Sequence, residues 1–217
     1  MKRSLFQPQR LKLPPALLLV PSFVDRELLA TVGKSARSKR PLLNATLLTF
    51  ERHALLTGFI GYPNLLTLLE FVADLGRKEV YFLGLAGGID PCFDAPRSVS
   101  VTSIRADASF RHLSKRDSFP LKRFPLRPAL VRAAAVSVDL IQRETRGWLR
   151  RQGEKAAELV EMELYPLRVF LGRPFHALVV VSDRVTVQGI VPFADREQVR
   201  REFHRSFNLI MEQINHG

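Results

Sequence analysis

Short apolar runs alternate along the chain with longer stretches in which apolar positions recur every three or four residues. That alternation predicts an α/β sheet covered by helices. "PALLLVP" (15–21) reads as a first strand and "VDRELLATV" (24–32) as the helix that follows it. "ATLLTFE" and "HALLTGFI", within 45–60, predict a strand pair turned at "ERH". In "NLLTLLEFVADLG" (64–76) the leucines and Phe71 fall at helical spacing between an Asn start signal and a Gly stop. "EVYFLGL" (79–85) predicts a strand running into "AGG", with further strands over 97–103, 133–140 and 176–183 and a closing amphipathic helix from about Asp195 to Gln213. The stretch 105–130 is rich in Arg, Lys, Ser and Pro without a clear period, which predicts a long basic loop serving as a lid or insertion.

One segment resists this pattern. "AAELVEMELYPLRVFLG" (156–172) sets Glu161 and Glu163 around Met162 in an otherwise apolar run and follows them with Pro166. The default reading of two such acids is the polar face of an amphipathic helix.

Composition narrows the picture. With 217 residues, 24.6 kDa and 46% hydrophobic residues, the chain is long enough to bury one full core, so a basic segment at 1–14 and one domain over 15–217 are expected. No apolar run reaches the ~20 residues that cross a bilayer, and "LPPALLLVPSF" is short and interrupted by Pro21. The basic start followed by "ALLLV" has the outline of a signal peptide but lacks a small-residue cleavage site, so a cytoplasmic protein without a membrane span is expected. A lone cysteine, Cys92, excludes an internal disulfide and a multi-cysteine metal site; no metal is expected.

Charge adds a constraint on partners. The balance of 33 Lys and Arg against 21 Asp and Glu gives +12 and a pI near 10.6, suited to polyanions or phosphorylated ligands. The bases are dispersed over "KSARSKR", "RHLSKRDSFPLKRFPLR", "RETRGWLRR" and "DREQVRREFHR", and no helix-turn-helix, zinc-finger or aromatic RNA-binding signature accompanies them. Nucleic acid stays open as a partner on charge alone.

In open α/β sheets ligands gather beyond the carboxyl ends of the strands. Those ends read "VPSFVDR", "TGFIGYPN", "LGLAGGID", "SVDL", "LVEME" and "VVSDR". Taken in order from about Leu17 to Ile214, this set resembles the purine nucleoside and uridine phosphorylase superfamily, which includes nucleosidases acting on methylthioadenosine and on AMP. "TGFIGYPN" resembles its glycine, glycine, proline, serine signature with Asn64 where serine is usual, "LGLAGGID" its glycine-rich turn, "VEMELYPL" its ribose segment, and "VVVSDRV" the strand bearing its catalytic aspartate.

The resemblance implies a fold and a set of roles. The fold is a single three-layer α/β/α domain around a central mixed β-sheet. Glu163 would accept ribose hydroxyls and Met162 pack on the sugar; "LVEM" would then finish a strand and Glu163 open a helix, with Pro166 in its first turn. Glu161 belongs to the same motif, with its side chain free to point elsewhere. Asp183 would protonate or hydrogen-bond the departing purine, and Arg196, thirteen positions on (196 − 183 = 13), would pair with Asp183 and hold it ionised until the base binds. Ser137 and Asp139 would lie beside the base, with Leu140 or Ile141 as its apolar wall. Arg26, Gly87 and Gly88 would hold phosphate or another anion.

The departures leave the acceptor open. The first strand ends in "PSFVDR" instead of Gly-Asp-Pro, and Leu85 and Phe82 stand where a Ser or Thr and an arginine are usual. The expected activity is therefore cleavage of the N-glycosidic bond of a purine nucleoside or nucleotide by phosphate or water. No cofactor is implied, inorganic phosphate being a co-substrate under the first reading. A homo-oligomer follows from the same resemblance. The alternatives are a nucleoside-binding or regulatory protein of this fold without catalysis, or a basic nucleic-acid-binding protein.

Overall fold

The computed structural model describes residues 11–21, 26–72, 75–124, 130–139 and 146–216. The expected helix and strand alternation is present, and the sheet is mixed. β1 (Ala16–Val20) pairs in parallel with β4 (His53–Thr57) on one edge and with β5 (Glu79–Gly88) on the other. β3 (Ala45–Thr49) and β2 (Ser38–Leu42) extend the sheet antiparallel beyond β4. β10 (His176–Thr186) runs parallel to β5, and β11 (Gly189–Pro192) returns antiparallel beside it.

The three-layer expectation needs correction, because the sheet closes on itself. β10 pairs along one edge with β5 and along the other with β6 (Ser98–Ala106). From β6 the path continues through β8 (Val131–Ser137) and β9 (Leu159–Glu161) back to Gly87 and Gly88 of β5. Five strands therefore form a ring from which β1, β4, β3 and β2 extend as an open arm. Length permits the closure: β5 has ten residues and offers one edge to β1 at its start and to β9 at its end. A register shift between Val181 and Asp183 bends β10 where it changes partner.

Both faces of the central strands are buried, which explains their unbroken apolar sequences. Leu17, Leu19, Val80, Phe82, Ala177 and Val179 share one core with α2 (Gly61–Leu69) and α4 (Leu164–Leu171). The alternate positions Leu18, Val20, Tyr81, Leu83, Leu178 and Val180 face a second core. That core is completed by α1 (Arg26–Lys34) and by Val199, Phe203, Phe207, Ile210 and Ile214 of α5 (Arg196–His216), at helical spacing. A third, smaller cluster sets Trp148 of α3 (Arg146–Glu154) on Val136, Val138, Val160 and Val185.

Four elements fall in stretches that the sequence pattern left as charge runs or loops. β2 occupies "SKRPL", and its Lys39, Arg40 and Pro41 suit an outermost strand that must refuse further partners. α3 lies in the basic run "RGWLRRQGE" and is anchored by buried Trp148, whose Nε1–H donates to Asp107 Oδ1 at 3.1 Å. The presumed loop 105–130 begins as the end of β6, continues through a 3₁₀ turn at Ala108–Phe110, and contributes β7 (Ser118–Pro120), paired on β6. β11 is the fourth. Helix α2 starts earlier and stops sooner than its leucine pattern predicts: Gly61, at φ 71°, opens it, and Asn64 Nδ2 donates to Ile60 O within its first turn. Among the described residues no helix is long and apolar enough to cross a membrane.

Candidate functional site

At the carboxyl ends of β5, β9 and β10 a cleft of ≈ 320 Å³ opens among Pro21, Ile60, Leu85, Ala86, Gly87, Val138, Val160, Glu161, Met162, Glu163, Ser182, Asp183 and Ile190. Three carboxylates and a mostly apolar wall meet there, and no lysine, arginine or histidine is among the described lining residues.

The two glutamates of the puzzling segment have different duties. Glu161 ends β9 opposite Ser137 of β8, and it is only 4% exposed. Its Oε2 accepts the N–H groups of Glu163 at 2.6 Å and Leu164 at 2.7 Å, while its Oε1 accepts the Ser137 hydroxyl. Ser137 Oγ in turn accepts the Tyr165 N–H at 2.8 Å. The next residue, Pro166, has no N–H, and Leu167 N–H reaches Glu163 O. Every donor in the first turn of α4 is thereby satisfied without solvent, the task that a helix start imposes when it is buried.

Glu163 faces the other way. Its Oε1 accepts the Gly61 N–H at 2.9 Å, so its carboxylate sits at the N-terminus of α2, where the helix dipole favours negative charge. This is what the "TGFIGYPN" segment supplies: Gly58 at φ 94° and Gly61 at φ 71° bring a backbone donor to the carboxylate. Burial pushes both acids up, Glu161 to about 8, with the neighbouring Glu163 charge adding to the shift, and Glu163 to about 7; their hydrogen bonds oppose the rise. Met162, between them, lines the cleft and packs against the Trp148 cluster.

Asp183 enters from β10 just past its register shift, opposite Gly87. Its Oδ2 accepts the Ser182 hydroxyl at 2.6 Å, and burial raises its pKa above the ordinary carboxylate value against that bond. Gly87 is needed for this approach: a Cβ there would lie 2.8 Å from Asp183 Oδ1 and from Val185 Cγ2.

Not every expected residue joins this cleft. Arg196 is exposed at the start of α5 and makes no ion pair with Asp183. The residues between them form the β10–β11 hairpin, which places Pro192 opposite Asp183 and carries the chain past the sheet edge before Arg196. Asp183 is thus raised by burial, where an arginine partner would lower it. Gly87 and Gly88 lie inside β5 with β9 on one edge and β10 on the other, so they form a ladder, not an anion-binding turn. Gly87 borders the cleft; at Gly88 a Cβ would strike Phe93 at 2.7 Å.

Ser137 is buried in the α4 cap, and Asp139 is half-buried outside the cleft lining. Val138 between them reaches the cleft, since neighbouring residues of an extended chain face opposite ways. The Arg26 side chain, Leu140 and Ile141 lie outside the described residues. The apolar lining from Ile60, Leu85, Val138, Val160 and Ile190 was not foreseen, and only its position at strand ends could have signalled it. Among the described residues no group of His, Cys, Asp and Glu is placed to hold a metal.

No protein-family model matches the chain, and no curated protein matches its sequence. Solved structures do. A 5'-methylthioadenosine/S-adenosyl homocysteine nucleosidase from Helicobacter pylori aligns at 13% identity and TM-score 0.68, covering 94% of this chain and 100% of that one. The Campylobacter jejuni enzyme of the same name aligns at 14% identity and TM-score 0.65, over 91% and 97% of the two chains. A Chlamydia trachomatis structure of this kind, bound to MTA, aligns at 16% identity and TM-score 0.61, over 92% and 98%. The ring of strands, its open arm and the helices around them therefore compose the fold seen in these nucleosidase structures.

Proposed function

We propose that the protein is a nucleosidase that hydrolyses the N-glycosidic bond of a purine nucleoside. The observation that carries this reading is the convergence of Glu163, Met162 and Asp183 on one cleft whose described lining holds no cationic side chain. A carboxylate oxygen accepts more than one donor, and Glu163 Oε1 is steadied by Gly61 N–H; sugar hydroxyls are the further donors it would take. Asp183, its pKa raised by burial, holds a proton to higher pH than an exposed aspartate and would deliver it to purine N7 as the base leaves. Glycosidic cleavage develops positive charge on the sugar, which the Glu163 carboxylate would stabilise across a short, water-poor distance.

Water is the acceptor this site favours. The Leu85 side chain has no polar atom to offer phosphate, and the N–H groups of Gly87 and Gly88 lie in a strand paired on both edges. The similar structures were solved with MTA and with adenine, so thio-substituted adenine nucleosides are the first substrates to try. Ile60, 55% exposed, stands with Leu85 and Ile190 as apolar lining at an open cleft, a surface that a second copy of the chain would cover; light scattering tests that assembly.

The decisive experiment measures free-base release from purine and pyrimidine nucleosides with and without inorganic phosphate, alongside Asp183→Asn. Phosphate-independent release of purine that falls ~10²- to 10⁴-fold in the variant is expected. Strict dependence on phosphate would replace hydrolysis by phosphorolysis, and no release from folded protein would leave a binding protein.

A further inference from the structure

Helix α4 presents Tyr165 and Arg168, three positions apart and therefore on one face, to Phe119 of β7. The Tyr165 ring lies 5.5 Å from the Phe119 ring, and the Arg168 Cζ stands 4.7 Å from the same centroid. Arg116 approaches that ring as well, with its Cζ 6.0 Å from the centroid. Its backbone is held in place from two sides. The Tyr165 hydroxyl donates to Arg116 O, and the Arg116 N–H donates to Ser114 Oγ at 3.1 Å. Two guanidiniums, one from α4 and one from the basic run after β6, thus converge on a single aromatic side chain.

Neither has an acid to balance it. Arg168 is only 8% exposed, yet among the described residues its guanidinium makes no hydrogen bond and no ion pair. A buried charge without a counter-ion is costly, and an aromatic face attracts a cation without replacing the hydrogen bonds that its N–H groups lose. Burial, and after it the neighbouring Arg116 charge, holds Arg168 below the ordinary arginine pKa, so the two guanidiniums repel each other. Asp117, next to Arg116 in sequence, forms no ion pair with either, and its charge acts on Arg105 instead. Of the Arg168 nitrogens only Nε is fully enclosed; the two Nη groups, without a protein acceptor, keep their contact with solvent, and Arg116 is exposed. The unpartnered donors therefore open outward, where a ligand can reach them. None of these residues lines the cleft.

We propose that Arg116 and Arg168 form a second binding site, specific for the phosphoryl dianion. A carboxylate carries one charge and two oxygens, which a single guanidinium fork satisfies, leaving the other arginine unbalanced. A phosphoryl group carries about two charges and at least three acceptor oxygens, enough for both forks. Phe119, 7% exposed, offers no apolar floor to an organic body, so the phosphoryl group itself is what the site recognises, free or esterified. The stack on Phe119 fixes the Arg168 plane before the anion arrives, which spares part of the ordering cost of binding.

The test is calorimetric titration of the full chain with inorganic phosphate, phenyl phosphate and acetate at constant ionic strength, with the melting temperature followed alongside. Saturable binding of phosphate and no saturable binding of acetate is expected, and phosphate should raise the melting temperature. Binding of inorganic phosphate alone assigns free phosphate as the ligand; binding of phenyl phosphate as well assigns the esterified group too, and both support the site. Arg116→Ala, at an exposed position, should weaken phosphate about tenfold, and Arg168→Lys, which keeps the charge but loses the fork, should weaken it as much. Arg168→Met, which still covers Phe119, should abolish binding without lowering the melting temperature in phosphate-free buffer. Arg150→Ala with Arg151→Ala, which removes charge from exposed positions on α3, should change little. Absence of saturable phosphate binding overturns the proposal. So does acetate binding as tight as phosphate, an equal loss in the α3 variant, or affinity unaltered by Arg116→Ala and Arg168→Met. Since binding is the readout, the outcome is independent of whether the cleft hydrolyses nucleosides.

Discussion

At the scale of single residues, the acids of "VEME" carry two different loads. Glu161 and Ser137 share the donors of the α4 start, so removing either leaves buried groups unpaired. Ser137→Ala strands the Tyr165 N–H and one Glu161 oxygen, and a loss of about 1–3 kcal/mol in urea unfolding is expected, with the denaturant slope unchanged. A loss below a few tenths would mean that water enters the cap. Glu163 lines the cleft, and under the proposed hydrolysis its carboxyl, pushed up to about 7, should set the acid limb of kcat/KM. Below that pH the group is protonated and the sugar contact weakens, so kcat/KM should fall as pH drops through about 7. An acid limb near the ordinary glutamate value would assign that limb to another group.

At the scale of elements, the two strands that close the ring place the chemistry. β10 bends at its register shift and turns Asp183 toward β5, where Gly87 leaves room for the carboxylate. Gly87→Ala sets a methyl group against Asp183 Oδ1 and Val185, both 2.8 Å away. Overpacking of this kind costs about 1–3 kcal/mol, and here it also displaces the Asp183 carboxylate. Reduced kcat together with a lower melting temperature is expected; normal kcat would show that Asp183 keeps its place when β5 shifts. A reader of the sequence sees this glycine as part of a phosphate turn, because a glycine-rich strand end and a glycine-rich loop look alike until pairing partners are known. Arg196 misled for a similar reason: thirteen residues of separation say nothing of the β11 hairpin folded between it and Asp183.

At the scale of the whole molecule, two buried acids with raised pKa values make stability depend on pH. An unfolded glutamate titrates near 4.5, whereas Glu161 does so near about 8 and Glu163 near about 7 in the fold. Between those values the folded chain binds more protons than the unfolded one, so stability falls as pH rises from about 4.5 to about 8. The melting temperature should decline over that window, and Glu161→Gln, which cannot ionise, should make the decline shallower. An identical slope in the variant would mean that Glu161 is not among the groups titrating there.

The sequence by itself determined the helix and strand alternation, the strands buried on both faces, and the strand-end residues Glu163, Met162 and Asp183 that meet in the cleft. The alternation follows from repeats of 2 and 3.6 residues, which the chain displays without being folded, and the three residues from the order of strand-end motifs in which it resembles the nucleoside phosphorylase and nucleosidase superfamily. Only the tertiary structure decided the closure of the sheet through β10, the Glu161–Ser137 cap, and the separation of Arg196 from Asp183. Each depends on which distant segments become neighbours, and that choice is made by the burial of whole faces at once, not by the residues of any one stretch.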